Sequence, residues 1–159
     1  MHLLAREEIG LRCLLRVAAE SPDGRGGNPC TIARIAAAED LSQEYAAKLL
    51  RRLRQGGLVE SVRGASGGYR LARPSNTITV WQAVQVLDES FLPVSSCECQ
   101  PDARGSCRRT AQCAVKSLWC QVGDAVRETL ANVTLAQLCS ASDTPPLATR
   151  LPVVAPAPL

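Results

Sequence analysis

The spacing of apolar residues changes once between residues 31 and 73, and this change restricts the fold more than any other feature of the sequence. Up to residue 55 the apolar residues recur every three or four positions, as on one face of an α-helix. From residue 58 they alternate with polar residues, as in a β-strand. The glycine-rich segment 64–68 divides the alternating part and is typical of a hairpin tip. We therefore predict two helices followed by a β-hairpin.

Hydroxyl residues and glycines mark the ends of these helices. Thr31 and Ser42 each precede a helical run, where a hydroxyl oxygen can accept a hydrogen bond from a first-turn amide. The second helix ends at Gly56 and Gly57. Its apolar face consists of Ala46, Leu49, Leu50 and Leu53. The order of elements is that of a helix-turn-helix followed by a wing, the name used below for the hairpin.

Further helices flank this unit on both sides. The first is expected before the loop signal at 21–24, and it carries the stripe Leu4, Glu8, Leu11, Leu15 and Ala18, with Leu14 and Val17 beside it. Thr79 is expected to cap a helix after the wing, and Thr134 a short one near the end. Aromatic residues make up only 3% of the chain, so the core is expected to consist of Leu, Val, Ile and Ala. The fold class is therefore mainly α.

A long helix is expected from residue 114, with an apolar stripe that the rest of so short a chain can hardly cover. The stripe consists of Val115, Leu118, Trp119, Val122, Val126 and Leu130. We predict that the same helix of a second subunit covers it. The predicted organisation is a winged helix-turn-helix domain at 1–90, a cysteine-rich loop at 91–113, a dimerisation helix with a short terminal helix at 114–140, and a disordered tail at 141–159.

Positive charge is concentrated in the second helix and the wing, although the net charge of the whole chain is only +3. The basic residues there are Lys48, Arg51, Arg52, Arg54, Arg63, Arg70 and Arg73, against the acidic Glu44 and Glu60. One basic helix alone is more often a solvated surface. A capped helix pair followed by a basic, glycine-rich hairpin instead favours a helix that enters the major groove of DNA.

We predict that one surface, formed by this helix and the wing, contacts double-stranded DNA. Gln43 and Lys48 are expected to read base edges, and Arg63 to reach a minor groove or a phosphate. The full set of candidate contact residues is Ser42, Gln43, Tyr45, Lys48, Arg51, Arg52, Arg63, Gly64 and Ser66.

The chain has 8 cysteines, and the N-terminal sequence bears on what they do. Charged residues interrupt every apolar run there, which predicts neither a signal peptide nor a membrane span. We therefore expect a cytoplasmic protein, in which cysteines are more often metal ligands than disulfides. Four of them lie in the aperiodic loop: Cys97, Cys99, Cys107 and Cys113.

Thiolates select zinc or the iron of iron–sulfur clusters. The spacing in the loop is wider than the paired C-x-x-C pattern of structural zinc sites, and it suits a cluster, with zinc as the alternative. Arg104, Arg108 and Arg109 would offset the negative charge of a thiolate-bound cluster.

The remaining cysteines and the single histidine carry weaker signals. Cys13, Cys120 and Cys139 lie in predicted helices and are interpreted as small buried apolar residues. Cys30 has no assigned role, and the terminal His2 is not expected to be a ligand. A thiol switch without metal is a further alternative. We predict no enzyme, because the sequence has neither a Ser-His-Asp set nor a phosphate-binding glycine loop.

Five short segments resemble the IscR- and NsrR-like regulators of the Rrf2 family, over roughly residues 1–140. They are the run at 53–64, Gly67-Gly68-Tyr69, Leu87-Asp88-Glu89-Ser90, Leu118-Trp119 and Asn132-Val133-Thr134-Leu135. The resemblance implies a homodimer with crossed long helices, a palindromic DNA site and, in many members, an iron–sulfur cluster. It implies a transcriptional regulator, in our interpretation a repressor, that senses iron–sulfur status, iron, or redox or nitric oxide stress.

The resemblance also implies three cluster ligands, Cys99, Cys107 and Cys113, spaced as in the nitric-oxide-responsive branch of the family. The fourth ligand stays open between two residues. Cys97 is an additional loop cysteine, and Glu8 matches an acidic residue that some relatives donate from the partner subunit. Lys116 stands where the iron–sulfur-assembly branch has a histidine ligand, and lysine is a poor cluster ligand. The cluster type, two-iron or four-iron, also stays open.

Overall fold

The computed structural model describes residues 5–24, 27–64, 67–88 and 114–141. The elements in chain order are α1 (Ala5–Glu20), α2 (Ile32–Ala38), α3 (Gln43–Gln55), β1 (Val59–Val62), β2 (Gly68–Leu71), a 3-10 turn (Ser75–Thr77), α4 (Val80–Leu87), α5 (Ala114–Ala131) and α6 (Leu135–Ala141). The mainly α fold class, with its winged helix-turn-helix and long helix, is confirmed. The predicted cysteine loop at 91–113, the tail beyond residue 141 and Ser66 lie outside the described residues.

The predicted capping residues begin their helices as expected. The side-chain oxygen of Thr31 accepts a hydrogen bond from the Arg34 amide at 3.2 Å, and that of Ser42 from the Tyr45 amide at 3.1 Å. Thr79 forms a reciprocal capping box with Gln82 at the start of α4. The 3-10 turn before α4 is an element that the sequence analysis did not predict.

The core lies where α1, α3, α4 and α6 meet. Leu50 and Leu53 of α3, Leu87 of α4 and Leu135 of α6 are fully buried in it. On α1 the predicted stripe was wrong in its centre, because Leu11 and Leu15 are only half-buried and Glu8 is exposed. Leu14, Val17 and Ala18, which belonged to the predicted apolar surface, are buried as expected, and Cys13 is buried with them. Glu8, Arg12 and Arg16 lie four residues apart and form the exposed face of α1, so the buried face is centred away from them.

The wing is an antiparallel pair in which Val59 lies opposite Leu71 and Val62 opposite Gly68. Its base is joined to the chain that enters α2. The Cys30 amide donates to the Tyr69 carbonyl at 2.7 Å, and the Tyr69 amide to the Cys30 carbonyl at 2.8 Å. A Cβ atom at Gly68 would overlap the Cys30 carbonyl, so glycine permits this approach. The wing is thereby held against the start of α2.

Helix α5 is anchored at its C-terminal end to the DNA-binding unit. The Val80 amide donates to the Val133 carbonyl at 2.8 Å, and the Leu135 amide to the Ile78 carbonyl at 2.9 Å. Thr134 caps α6 as predicted, and α6 reaches Ala141, which the prediction had placed in the tail. Among the described helices, none combines the length and the apolar character needed to span a membrane.

Candidate DNA interface and metal centre

Helix α3 has two opposite faces with opposite chemistry. The predicted apolar face is buried: Ala46, Leu49, Leu50 and Leu53 are at most 1% exposed. The residues on the other side, spaced three or four apart, are all exposed: Glu44, Lys48, Arg51 and Gln55. The helix is therefore attached to the domain by its leucines and presents a polar, largely cationic surface to solvent.

The structure divides the seven basic residues of α3 and the wing into two groups. Lys48, Arg51, Arg54 and Arg63 are exposed. The other three are half-buried, and each guanidinium donates to a group of its own chain. The acceptors are the Leu87 carbonyl for Arg52 at 2.8 Å, Glu60 for Arg70 at 2.7 Å and Gln82 for Arg73 at 2.9 Å. In the exposed group Arg54 also donates, to Oγ of Ser61 at 3.4 Å, but this contact is exposed. The exposed group can therefore meet phosphates at little loss of internal contacts.

The other candidate DNA residues lie around the start of α3 and the wing tip. Ser42 is exposed, and its oxygen caps the helix. Gln43 is exposed in the first turn, while Tyr45 is half-buried and packs against the core. Gly64 is exposed with a φ of 120°, a conformation that favours glycine. Ser42, Gln43 and Tyr45 therefore lie at the start of α3, and Gly64 lies beside the wing tip.

Glu44 is absent from the predicted contact residues, because in the sequence it was weighed only as a negative charge opposed to the basic cluster. It lies in the first turn of α3 on the same exposed face as Lys48. A carboxylate in the major groove can accept a hydrogen bond from the amino group of cytosine. An acidic residue at the start of a recognition helix is thus compatible with base reading.

The four loop cysteines lie outside the described residues, so the structure places only Glu8 of the predicted ligand set. Glu8 is exposed on α1, and its Oε1 lies 2.6 Å from Nη2 of Arg12. A carboxylate so placed can be donated to a group outside its own domain if the pairing with Arg12 is given up or shared. Its accessibility fits the proposed role of a ligand for a partner's cluster.

Glu7, one residue earlier, has the opposite environment. It is 1% exposed, and its Oε1 lies 3.3 Å from Nε of Arg6. Its Oε2 is buried and has no hydrogen-bond partner among the described residues. Arg6 also reaches Oδ2 of Asp88 at 3.1 Å, so one guanidinium serves two buried carboxylates. This site could not be predicted from the sequence, because the apolar period placed Glu8, not Glu7, on the inner face.

The cysteines in the core are poor candidates for metal ligands. Burial, and after it the negative charge of Glu39, raises the pKa of the Cys13 thiol to about 11. Burial and the nearby Glu20 carboxylate raise the pKa of the Cys30 thiol, and burial raises that of Cys139. Metals bind the thiolate, which these environments disfavour. Within the described ranges no three metal-ligating side chains come together, so a cluster would depend on the loop cysteines, with Glu8 as the accessible described donor.

Comparisons with known proteins agree with this geometry. Residues 3–141 match the family model described as Rrf2, an iron-dependent transcriptional regulator. The HTH-type transcriptional regulator IscR of Pectobacterium atrosepticum is 35% identical over 138 residues, which are 87% of this chain and 79% of the relative.

Two solved structures have the same fold. The structure of CymR (YrzC), the global cysteine regulator of B. subtilis, superposes with a TM-score of 0.70 at 30% identity, over 88% of this chain and 97% of that one. T. potens IscR gives a TM-score of 0.69 at 29% identity, over 89% and 88% of the two chains. The chain therefore belongs to the Rrf2 family of transcriptional regulators.

Proposed function

We propose that this protein is a homodimeric repressor that binds a palindromic operator and senses iron–sulfur status, iron, or redox or nitric oxide stress through a cysteine-ligated iron–sulfur cluster. The observation that carries the DNA-binding part is the exposed cationic face of α3, held in place by four buried residues on its other side. Since a bacterial operator lies in the cytoplasm, we assign the protein to that compartment.

In the proposed complex α3 lies in the major groove. Lys48 and Arg51 meet phosphates or base edges, and Gln43 and Glu44 face base edges near the start of the helix. Arg63, exposed beside the wing tip, reaches the adjacent backbone or minor groove. Because the cations neutralise phosphates and release counterions, the affinity should fall steeply with salt.

The dimer is proposed from α5. Its side chains Leu118, Trp119 and Val122 are 57%, 64% and 36% exposed in the single chain. A cluster of large apolar residues on one side of a long helix favours a partner surface, and a second copy would supply an identical one. A symmetric dimer would place two α3 helices on half-sites about 34 Å apart.

We assign the cluster to Cys99, Cys107 and Cys113, with Cys97 or Glu8 as the fourth ligand. An iron–sulfur cluster supplies a group that changes on oxidation, on reaction with nitric oxide or on loss of iron. The ligand-bearing segment joins the end of α4 to the start of α5. Its ligation would order the connection between the DNA-binding unit and the dimerisation helix. A coupling of about 1–3 kcal/mol between cluster state and DNA affinity would be typical of such a linkage.

A thiol switch is the second candidate, because a similar structure is that of a cysteine regulator, not an iron regulator. The raised thiol pKa values of Cys13, Cys30 and Cys139 disfavour a switch at these positions. A thiol-based mechanism would therefore use the cysteines of the 91–113 segment. A zinc site at the same cysteines is a third candidate, without a sensing role.

The deciding experiment is anaerobic purification followed by iron, sulfide and zinc analysis and a visible absorption spectrum. Our proposal expects iron and sulfide in comparable amounts, a brown colour, and a change in operator affinity when the cluster is removed. Colourless protein with zinc, or metal-free protein that responds to peroxide, would favour one of the alternatives. Equal DNA affinity of the loaded and emptied forms would refute sensing and leave DNA binding intact.

The fourth ligand can be tested in the same preparation. Replacement of the true ligand, in Cys97→Ala or Glu8→Ala, should alter the absorption spectrum and accelerate cluster loss in air. The other replacement should leave both unchanged. Glu7→Gln serves as a matched acidic control on α1, since Glu7 is buried in its own domain.

A further inference from the structure

We infer that Arg52 is a positioning residue that ties the recognition helix to the end of α4, and that it does not contact DNA. The inference deepens the proposed function and depends on it for its regulatory part. Arg52 belongs to the basic cluster that the sequence assigns to DNA, yet its Nη1 donates to the Leu87 carbonyl at 2.8 Å. The bond joins residues 35 positions apart in the chain.

The direction of the side chain on α3 supports this assignment. Arg52 follows Arg51, and successive residues of an α-helix point about 100° apart. Arg51 is on the exposed face, whereas Arg52 is half-buried on the flank that it shares with Tyr45, one heptad earlier. A guanidinium turned toward α4 would have to give up its bond to Leu87 before it could reach a phosphate.

The acceptor is well suited to a cation. Leu87 is the last residue of α4, and the carbonyls of a last turn have no partner within their own helix. The negative end of the helix dipole is at the same place, so a guanidinium there makes a charge-assisted bond. Leu87 itself is fully buried, and the bond is partly shielded from water. The contact is thus stronger than an exposed ion pair.

Two glycines bring neighbouring helices against this same last turn. A Cβ atom at Gly56, the C-cap of α3, would overlap the side chain of Val86. A Cβ atom at Gly10 of α1 would lie 2.5 Å from Cδ2 of Leu87. Arg6 of α1 adds an ion pair to Asp88, directly after the turn. Helices α1 and α3 therefore both hold the end of α4, and a shift of that end must be passed to them.

The hydrogen bond between Arg52 and the Leu87 carbonyl has a regulatory consequence because of where Leu87 lies in the chain. The segment that carries Cys97, Cys99, Cys107 and Cys113 follows Asp88 directly in the sequence. A change in the direction in which the chain leaves α4 moves the Leu87 carbonyl, and Arg52 passes the movement to α3. Since Arg51 directly precedes Arg52 on the same helix, the orientation of the DNA-facing side chains changes with it.

The first test separates positioning from DNA contact by salt dependence. Arg52→Met keeps the apolar stem and removes the donors, and Arg51→Met is the matched control on the exposed face. Operator affinity is measured from low to moderate salt. We expect Arg52→Met to keep the parent slope of log K against log salt, and Arg51→Met to lower it by about one. An equal reduction in both variants would overturn the inference. If Arg52→Met does not fold, Arg52→Lys and Arg52→Gln are compared instead: equal slopes support positioning, and a lower slope in the glutamine variant alone refutes it.

The second test concerns the coupling between cluster and DNA. The ratio of operator affinities of the loaded and emptied forms should shrink toward one in Arg52→Met and stay at the parent value in Arg51→Met. An unchanged ratio in Arg52→Met would refute the proposal that Arg52 couples the end of α4 to α3. If the parent itself shows no difference between the two forms, the sensing proposal fails. The salt slopes then still decide whether Arg52 contacts DNA.

Discussion

Helices α3 and α5 are both amphipathic, but they place their apolar residues in different environments. Helix α3 buries its leucines inside its own domain and exposes cations. Helix α5 exposes Leu118, Trp119 and Val122 in the single chain. The difference shows that α3 completes its packing within the described chain, whereas Leu118, Trp119 and Val122 of α5 remain exposed there, which is why we propose an apolar partner for α5.

The largest effect on operator affinity is expected from a charge placed among the exposed apolar residues of α5. Trp119→Asp places a carboxylate within the exposed apolar cluster, where a dimer interface would have to desolvate it. We expect the protein to become monomeric in size-exclusion chromatography with light scattering. Without the second half-site contact, affinity for a palindromic operator should fall about 100-fold or more.

The control for that variant is Arg127→Asp, which adds a carboxylate to the same helix away from the three apolar residues. Arg127 is exposed and pairs only locally with Asp124 at 3.0 Å. It should leave the dimer intact. A dimeric Trp119→Asp protein with parent-like operator affinity would show that α5 is not the dimerisation surface.

An intermediate effect is expected on the α3 side, where exposed and internally bonded cations should behave differently. Lys48→Ala removes an exposed cation, and it should weaken operator binding about tenfold and lower the salt slope by about one if Lys48 contacts a phosphate. Arg70→Ala removes a cation that is paired with Glu60 across the wing. It should change the affinity much less.

Fluorescence anisotropy titrations at several salt concentrations would measure both quantities for the two variants. Similar losses for Lys48→Ala and Arg70→Ala would mean that exposure does not separate DNA contacts from structural cations. The division of the basic cluster into two groups would then be wrong.

The sequence was sufficient for those parts of α3 that depend on neighbours along the chain. The caps at Thr31 and Ser42 and the leucine face of α3 follow from local hydrogen bonding and helical spacing, and the structure confirms them. The hairpin follows in the same way from its glycines. The apolar stripe of α5 was also predictable from its spacing, and three of its residues, Leu118, Trp119 and Val122, are exposed among the described residues.

The features of the structure that could not be predicted from the sequence are contacts between elements that are distant in the chain. Helical spacing places Arg51 and Arg52 on different sides of α3, but the acceptor of the Arg52 guanidinium, the Leu87 carbonyl, lies 35 residues away in the chain. The apolar spacing of α1 placed Glu8 on the inner face, whereas packing of the other helices buries Glu7 and leaves Glu8 exposed. The bridge between Cys30 and Tyr69 likewise joins residues that no local pattern connects.

The smallest expected effect concerns the core on which α3 rests. Burial raises the pKa of Cys13 from its usual 9.0 to about 11, so the folded state favours the neutral thiol. The stabilisation is complete below pH 9 and is lost as the pH rises toward 11, because the unfolded chain then releases a proton that the folded chain retains. Cys13→Val, which cannot ionise, should lack this part of the alkaline decline.

The measurement is urea unfolding of parent and variant at pH 8 and at pH 11. Other groups also titrate in this range, so the informative quantity is the difference between the two proteins in how much stability each loses. We expect the parent to lose more, by on the order of 1 kcal/mol. Equal losses would mean that water reaches the Cys13 thiol. The core on which α3 packs would then be hydrated at this position. The same result would mean that Cys13 can ionise in the folded protein. The contrast between α3, which buries its apolar face within the chain, and α5, which exposes apolar residues, would then be smaller than we describe.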